Sequence, residues 1–208
     1  MNQHHEAPRR RFGFLAPAEI EAIGFAGVGE HVLIDSSARF YGAERISIGS
    51  HVRIDAFAVL SAGRDGIGIG SHVHIAVGAF LTGQARIEVH DFAGISFQSA
   101  IFSSNDDYFG TGLTGPTIPD HFRQVTSAPV TLEEHVIVGA SCVILPGVTI
   151  GHGAAVGALT LVRHDVLPWT IVSGHTARTV ARRQKDILEL EVQLREDDEE
   201  AKARATRE

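Results

Sequence analysis

Two places in the sequence carry side chains that could take a proton from a reacting group. His74 lies in "SHVHIAVG", and histidine is the side chain best suited to acid–base work near neutral pH. Asn105, Asp106 and Asp107 lie in "SSNDDYFG", where either carboxylate could serve as a base. Each place also has a structural interpretation, since a histidine can pack at a corner and Asn and Asp favour turns. A histidine oriented by one of these aspartates would combine the two places in one site.

The elements around these residues follow a repeat of six. An aliphatic residue recurs at every sixth position of "VIVGASCVILPGVTIGHGAAVGALTLV", residues 136–162, and the fourth residue after each one is small. A narrow parallel β-helix requires this pattern, because each short strand points one large side chain inward and each corner has room for a small one. The frame extends upstream to Val28 with a few insertions. It puts His74 last in its hexad, so we expect its side chain to point outward.

Four further histidines share the fourth position of a hexad, where the chain must turn. Histidine tolerates left-handed backbone geometry better than most residues, so this position predicts a corner. We expect the four side chains to stack along one edge of the helix: His31, His51, His72 and His135.

Composition narrows the classes of function. The net charge of −7 argues against a nucleic-acid partner, which needs a basic surface. No apolar run reaches the length of a membrane span, so we expect no membrane insertion and a cytoplasmic protein. The single cysteine, Cys142, falls at a small-residue corner and is interpreted as buried filler.

The chain divides into three parts. Residues 1–27 are a polar tail, with arginines at positions 9–11, followed by a short helix from Pro17. Residues 28–171 are the β-helix domain, interrupted by a Gly- and Pro-rich excursion loop at 102–129 of the kind that carries function. Residues 172–208 are a strand and helix extension. Its helix is predicted from about Ala177, with an apolar stripe that packs on the prism or on a partner chain: Val180, Ile187, Leu190 and Leu194.

These features resemble the hexapeptide-repeat acyltransferases, which are left-handed parallel β-helix enzymes. The resemblance runs from "IGFAGVGEHVLID" to "GHTARTVARR", and the most specific segment, residues 129–178, is similar to the closing coils of O-antigen and capsule sugar acetyltransferases. The resemblance implies a homotrimer, acetyl-CoA bound in the cleft between adjacent prisms, and direct transfer to a hydroxyl or amino group. The sequence differs from the family at one place. In galactoside and maltose acetyltransferases the excursion begins with a histidine that serves as the base, whereas this chain reads "SSNDDYFG". Either another residue, such as His74 or a loop acid, is the base, or the reaction proceeds without one.

The resemblance also implies a cofactor site. The pantetheine arm would run past corner backbone groups of Gly139, Ala140, Gly157 and Ala158, much as a peptide pairs with a strand edge. The CoA phosphates would be bound by arginines near the end of the repeat, with a solvated helix face as the alternative for the last two: Arg163, Arg178 and Arg183. Trp169 could contact adenine or simply cover the end of the core.

The sequence therefore predicts an acetyltransferase that acts on a sugar, either nucleotide-linked or a precursor of a surface polysaccharide such as lipopolysaccharide. Three alternatives stay open at this point. The acceptor could be an antibiotic or serine; the chain could be a zinc-dependent carbonic anhydrase of the same fold; or it could be a catalytically inactive scaffold. Carbonic anhydrases of this fold use a histidine pair five residues apart, which this sequence lacks, so no metal site is predicted.

Overall fold

The structure is a computed structural model that describes residues 13–205. The predicted tail at 1–12, with its arginines, and the last residues, 206–208, lie outside the described residues. Two α-helices flank the repeat region, α1 (Pro17–Ile23) and α2 (Ile187–Ala205), and two short 3-10 helices span Ala43–Arg45 and Asp120–Phe122. Helix α1 starts at Pro17 as predicted, and Gly24 ends it in a left-handed conformation with φ 78°.

Three sheets form the sides of a prism, and each coil contributes one short strand to each sheet. The first sheet contains β1 (Gly27–Val28), β4 (Ile46–Ile48), β7 (Ile67–Ile69), β10 (Ile87–Val89), β15 (Val130–Leu132) and β18 (Thr149–Ile150). The second contains β2 (Leu33–Ile34), β5 (Arg53–Ile54), β8 (His74–Ile75), β11 (Gly94–Ile95), β16 (Ile137–Val138), β19 (Ala155–Val156), β21 (Thr170–Ser173) and β22 (Arg178–Arg182). The third contains β3 (Arg39–Tyr41), β6 (Val59–Ala62), β9 (Phe80–Gly83), β12 (Ala100–Phe102), β17 (Val143–Ile144) and β20 (Leu161–Val162).

Successive coils stack in parallel and in register, which confirms the predicted β-helix. In the second sheet Ile54 pairs with Ile75, Ile75 with Ile95, and Val138 with Val156. These repeat positions are buried, with Ile54, Ile75 and Val138 at 0% exposure. Val28, in the first strand of its sheet, is the exception at 40% exposure. The core is therefore a continuous aliphatic column along the prism axis.

The excursion loop leaves the prism between β12 and β15. Its two ends pair as a short antiparallel ribbon of β13 (Ser104–Asn105) and β14 (Thr126–Ser127). The prism closes beneath it, since Ile87 pairs directly with Val130 on the far side of the insertion. The loop is thus an ordered projection on an uninterrupted solenoid.

The C-terminal extension differs from the prediction. Residues 178–182, assigned to the helix from sequence, form β22, which pairs antiparallel with β21. Val180 therefore lies on a strand. Helix α2 contacts the prism through polar residues, with Glu191 bonded to His135 at 2.6 Å and Arg195 over the Phe92 ring at 5.0 Å. Its apolar residues Leu190 and Leu194 stay exposed.

Candidate active site

His74 stands on the outer face of the second sheet, as its hexad position predicts. In register it lies between Arg53 on the preceding coil and Gly94 on the following coil. Its side chain is 51% exposed, whereas its neighbour Ile75 is fully buried. The strand therefore anchors the backbone through Ile75 and presents the imidazole to solvent.

Asp55 is the partner of His74, and the sequence pattern did not indicate it. Its Oδ2 lies 2.8 Å from His74 Nε2, and its Oδ1 accepts a hydrogen bond of 2.7 Å from Arg53 Nε. The Asp55 side chain is only 12% exposed. Burial acts to raise the pKa of Asp55, but hydrogen bonds from His74 and Arg53 outweigh it and hold that pKa below its usual value. The aspartate that orients the histidine thus comes from the preceding coil and not from the excursion loop.

The loop acids bond within the loop. Asp107 accepts from the backbone N–H groups of Phe109 and Gly112, each at 2.8 Å, and from both the N–H and the hydroxyl of Thr111. The Phe109 N–H and the other donors lower the pKa of Asp107 to about 2. Asp106 accepts from Gly115 N at 3.0 Å and lies 3.5 Å from Arg123. Within residues 13–205 no hydrogen bond or ion pair joins these carboxylates to His74.

Asn105 lies in β13, next to the two acids, and pairs with Thr126 of β14. It therefore belongs to the ribbon at the base of the loop. The three loop candidates occupy one short stretch, but within a single subunit they form a group separate from His74.

The proposed pantetheine residues follow one edge of the prism, the edge at which the second sheet ends. Gly139 and Gly157 come directly after the paired residues Val138 and Val156, and Ser96 holds the same place one coil earlier. The N–H groups of Gly139 and Gly157 donate to coil neighbours at 2.7 and 2.8 Å. Those of Ala140 and Ala158 donate to no acceptor within the described part of the chain, so they are available to a ligand.

The other proposed cofactor residues are spread over different edges. Arg163 is exposed after β20, and Arg178 is exposed at the start of β22. Arg183 Nη1 donates to the carbonyls of His135 at 2.6 Å and Gly153 at 3.1 Å, and burial lowers the pKa of Arg183. Trp169 lies 5.2 Å from the His152 ring and beneath the Lys185 ammonium. Arg178 pairs with Ser173, whose Oγ would lie 2.9 Å from a Cβ on Gly157, so Arg178 lies next to the pantetheine edge. Arg183 and Trp169 instead contact the histidine corner.

The histidine corner forms as predicted. His31, His51 and His72 have φ of 55°, 58° and 56°, and the rings of His51 and His72 stack at 4.7 Å with an interplanar angle of 3°. Phe92 continues the stack, followed by His135 at 5.0 Å. These stacked rings form an aromatic ladder, and helix α2 packs against it through contacts with His135 and Phe92.

The ladder also contains a possible donor group for a metal. Ligand atoms of His51, His72 and Asp198 lie within 4.8 Å of one another. The rings of His51 and His72 lie parallel with 4.7 Å between their centroids, a spacing set by the coil repeat, so the ladder accounts for their positions without a metal.

Comparisons with known proteins agree with this architecture. No family model matches the chain. The dTDP-4-amino-4,6-dideoxy-D-glucose acyltransferase of Escherichia coli is 40% identical over 178 residues, covering 86% of this chain and 93% of that protein. The crystal structure of AntD, an N-acyltransferase from Bacillus cereus in complex with dTDP and 3-hydroxybutyryl-CoA, is 39% identical with a TM-score of 0.87, covering 91% of this chain and all of AntD.

Two further comparisons bear on the details. Other AntD structures are of variants at one serine and at one aspartate ten positions later, in complex with coenzyme A and with dTDP or dTDP-4-amino-4,6-dideoxyglucose. A chloramphenicol acetyltransferase of Escherichia coli is 46% identical, but over 46 residues that cover 22% of either chain.

No helix among the described residues has the length and apolar character needed to cross a membrane. The near-complete matches confirm the resemblance seen in the sequence, and the chain belongs to the hexapeptide-repeat family of sugar acyltransferases.

Proposed function

We propose that this enzyme transfers an acyl group from acyl-CoA to the amino group of a nucleotide-linked amino sugar, with dTDP-4-amino-4,6-dideoxyglucose as the first candidate acceptor. The observation that carries this proposal is the near-complete similarity to AntD, which was crystallised with that sugar nucleotide and with coenzyme A. The acceptor atom is therefore nitrogen, a choice that the sequence had left open. Acetyl is the simplest acyl group, and a hydroxyacyl donor is the matching alternative.

In this reaction the neutral amine of the sugar attacks the thioester carbonyl carbon. A C–N bond forms, the C–S bond breaks, the amine loses one proton to a base, and the departing thiolate of CoA takes up a proton. A backbone N–H along the pantetheine edge would stabilise the oxyanion. His74 is one candidate for the base, because it is exposed on the sheet that ends at that edge.

Asp106 is the second candidate. Ser96 and Asp106 are the only serine and aspartate in this sequence with the order and ten-residue spacing of the AntD variants. Ser96 lies in register beside Gly139, on the pantetheine edge. We therefore infer that Ser96 and Asp106 both face the acceptor, with Asp106 contributed by an excursion loop.

The cofactor would bind along the same edge. The N–H groups of Ala140 and Ala158 lack acceptors in the described chain and would bind the amide carbonyls of pantetheine, next to Gly139 and Gly157. Arg163 and Arg178 are exposed and would bind phosphate. Arg183 already donates to backbone carbonyls, and Trp169 already packs against His152, so their proposed cofactor contacts have less support.

We infer that a homotrimer completes this site. Phe57, Val77 and Phe97 project from the edge that follows the second sheet, and they are 68%, 45% and 52% exposed. Such a strip next to the site is typical of a subunit interface. A neighbouring subunit would then bring its own edge and loop to His74. Light scattering of the purified protein would test whether it is a trimer. Location in the cytoplasm, with a role in surface polysaccharide or lipopolysaccharide synthesis, follows from an activated sugar and acyl-CoA as substrates.

The decisive experiment is turnover with acyl-CoA and candidate acceptors, followed by release of free CoA thiol, together with calorimetric titration of each ligand. We expect acylation of the 4-amino sugar nucleotide and not of its 4-hydroxy analogue. His74→Ala and Asp106→Asn separate the two candidate bases, and a folded double variant with wild-type turnover would contradict both. Acylation of chloramphenicol or serine instead would reassign the acceptor, stoichiometric zinc with CO2 hydration would indicate a carbonic anhydrase, and no binding of CoA would indicate a scaffold.

A further inference from the structure

We propose that Asp55 is a positioning residue that fixes the tautomer of His74, so that Nδ1 keeps its lone pair and faces the bound acceptor. This inference rests on the proposed acyl transfer, because it assigns His74 a role toward the amine. It concerns a residue outside the excursion loop and outside the predicted site.

The hydrogen-bond geometry determines which nitrogen carries the proton. Asp55 Oδ2 lies 2.8 Å from His74 Nε2, and an ionised carboxylate can only accept. Arg53 donates to the other oxygen at 2.7 Å, which favours the ionised form. Nε2 must therefore donate, and in the neutral ring the acceptor nitrogen is Nδ1.

The surroundings of the pair are asymmetric. Asp55 is 12% exposed and packed into the edge of the prism, whereas His74 is 51% exposed. On the side away from Arg53, His74 pairs with Gly94, and no atom other than those of Gly94 and its chain neighbours lies within 4 Å of the position that a Cβ on Gly94 would take. One end of the pair is thus shielded from water, and the other opens onto free space.

That free space lies beside the acceptor edge. Ser96 is two residues beyond Gly94 on the same coil, so it is a diagonal neighbour of His74, at about 7–8 Å between Cα atoms. An amine placed between them would be within reach of Nδ1. In the reaction Nδ1 accepts the proton that the amine loses, and Asp55 stabilises the imidazolium that results.

A purely structural role would not need this arrangement. Asp35 holds the same register position one coil earlier, and it accepts hydrogen bonds from its own turn, from the N–H and the hydroxyl of Ser37. Asp55 has no such bond from its turn and uses both oxygens on Arg53 and His74. Asp35 is therefore the matched control, an aspartate of the same type and place without a histidine.

The test is Asp55→Asn beside Asp35→Asn, with both folds checked by thermal unfolding. We expect Asp55→Asn to lower kcat by about 10²-fold or more, the range of general-base catalysis, with little change in KM for acyl-CoA. The pH profile of kcat/KM should also differ from that of the wild-type enzyme, because Asp55 no longer orients the ring that accepts the proton. Asp35→Asn should keep both the rate and the pH profile. In a His74→Ala background Asp55→Asn should have no further effect.

An NMR measurement that requires no turnover tests this inference independently of the proposed function. The 15N chemical shifts of the His74 ring in the unliganded wild-type enzyme report its tautomer directly, and we expect the form protonated at Nε2. A ring protonated at Nδ1 would overturn the inference, whatever the substrate is. Unchanged kcat and pH profile in folded Asp55→Asn would overturn it too. If the wild-type enzyme acylates no amino sugar, the proposed function fails, and the NMR result alone decides the role of Asp55.

Discussion

Gly94 pairs with His74 on the neighbouring coil, and the space that a side chain at position 94 would occupy is empty. Gly94→Val should fill that space. Strand positions favour β-branched residues, so the fold should be retained. We expect turnover to fall by about 10²-fold through a displaced acceptor, while the Kd for acyl-CoA stays unchanged. Steady-state kinetics and calorimetric titration measure the two effects separately.

Ala155 supplies the control for this prediction. It belongs to the same outward-facing column of the second sheet, two coils beyond Gly94. Ala155→Val adds similar bulk away from His74 and should leave acceptor kinetics unchanged. If Gly94→Val turns over as fast as the wild-type enzyme, the acceptor does not approach His74 from this side.

At Gly139, by contrast with Gly94, we expect one added methyl group to lower the stability of the fold. A Cβ at this position would lie 2.6 Å from Ala158 N and 2.8 Å from Val156 O, both backbone atoms of the next coil. Those atoms cannot move without breaking coil stacking. We expect Gly139→Ala to lower the free energy of unfolding by about 1–3 kcal/mol, the usual cost of overpacking. Gly94→Ala is the matched control, and it should change that free energy by under about 0.5 kcal/mol. Urea unfolding curves of both variants decide the matter.

The fold was predictable from sequence because its rule is local. Each coil needs an inward aliphatic residue and a small corner residue, so Ile75 and its equivalents could be identified from spacing. The histidine corner was predictable for the same reason, since His51 and His72 sit where the backbone must be left-handed. Strand β22 was missed because its five residues are all exposed and carry no buried alternation. Only its pairing with β21 makes it a strand.

The site was predictable in part. The position of His74 within its hexad indicated an outward side chain, which the structure has. Asp55 was missed because a diagonal contact between coils depends on the exact coil length, and here 19 residues separate the two partners. Once the register of Ile54 with Ile75 is known, Asp55 and His74 fall together. Contacts inside the excursion loop follow no repeat, so the partners of Asp106 and Asp107 could not be read from spacing.

We expect Asp107 to stabilise the conformation of the excursion loop and Asp106 to contribute to catalysis. Asp107 collects backbone donors from Phe109, Thr111 and Gly112, so Asp107→Ala should loosen the loop and raise KM for the acceptor. The pKa of Asp107 is depressed to about 2, so this contribution is present above the ordinary aspartate value and is lost only as pH falls through about 2. Hydrogen exchange of the loop amides, compared at about pH 7 and about pH 4, should therefore show the same protection once corrected for intrinsic rates.

Asp106→Asn is the comparison for that variant. Its amide keeps an oxygen to accept from Gly115 N, so the loop should stay protected from exchange while kcat falls. If Asp106→Asn loosens the loop as much as Asp107→Ala does, then Asp106 is a structural residue. The serine and aspartate spacing shared with AntD would in that case have no catalytic meaning here.

His72, in the middle of the ladder, should make the fold sensitive to mild acid. Burial, and then the neighbouring His51, lower the pKa of His72 below the ordinary value of 6.5. The unfolded chain therefore binds this proton more readily, and the contribution of His72 to stability declines as pH falls below about 6.5. His72→Phe should remove that part of the pH dependence. The backbone accepts phenylalanine there, because Phe92 occupies the next rung with φ of 59° and a stacked ring.

Thermal unfolding at about pH 7.5 and about pH 5.5 measures the effect, as the difference in Tm between the two conditions. We expect this difference to shrink in His72→Phe relative to the wild-type protein. The reverse change, Phe92→His, adds a titrating ring between His72 and His135 and should enlarge it. If His72→Phe leaves the difference unchanged, His72 does not cause the acid sensitivity. In that case the carboxylate of Asp198, 3.9 Å from His72 Nε2, offsets the lowering of the His72 pKa by burial and His51. Asp198→Asn would then restore the sensitivity, because it removes the charge that favours protonated His72 in the folded state.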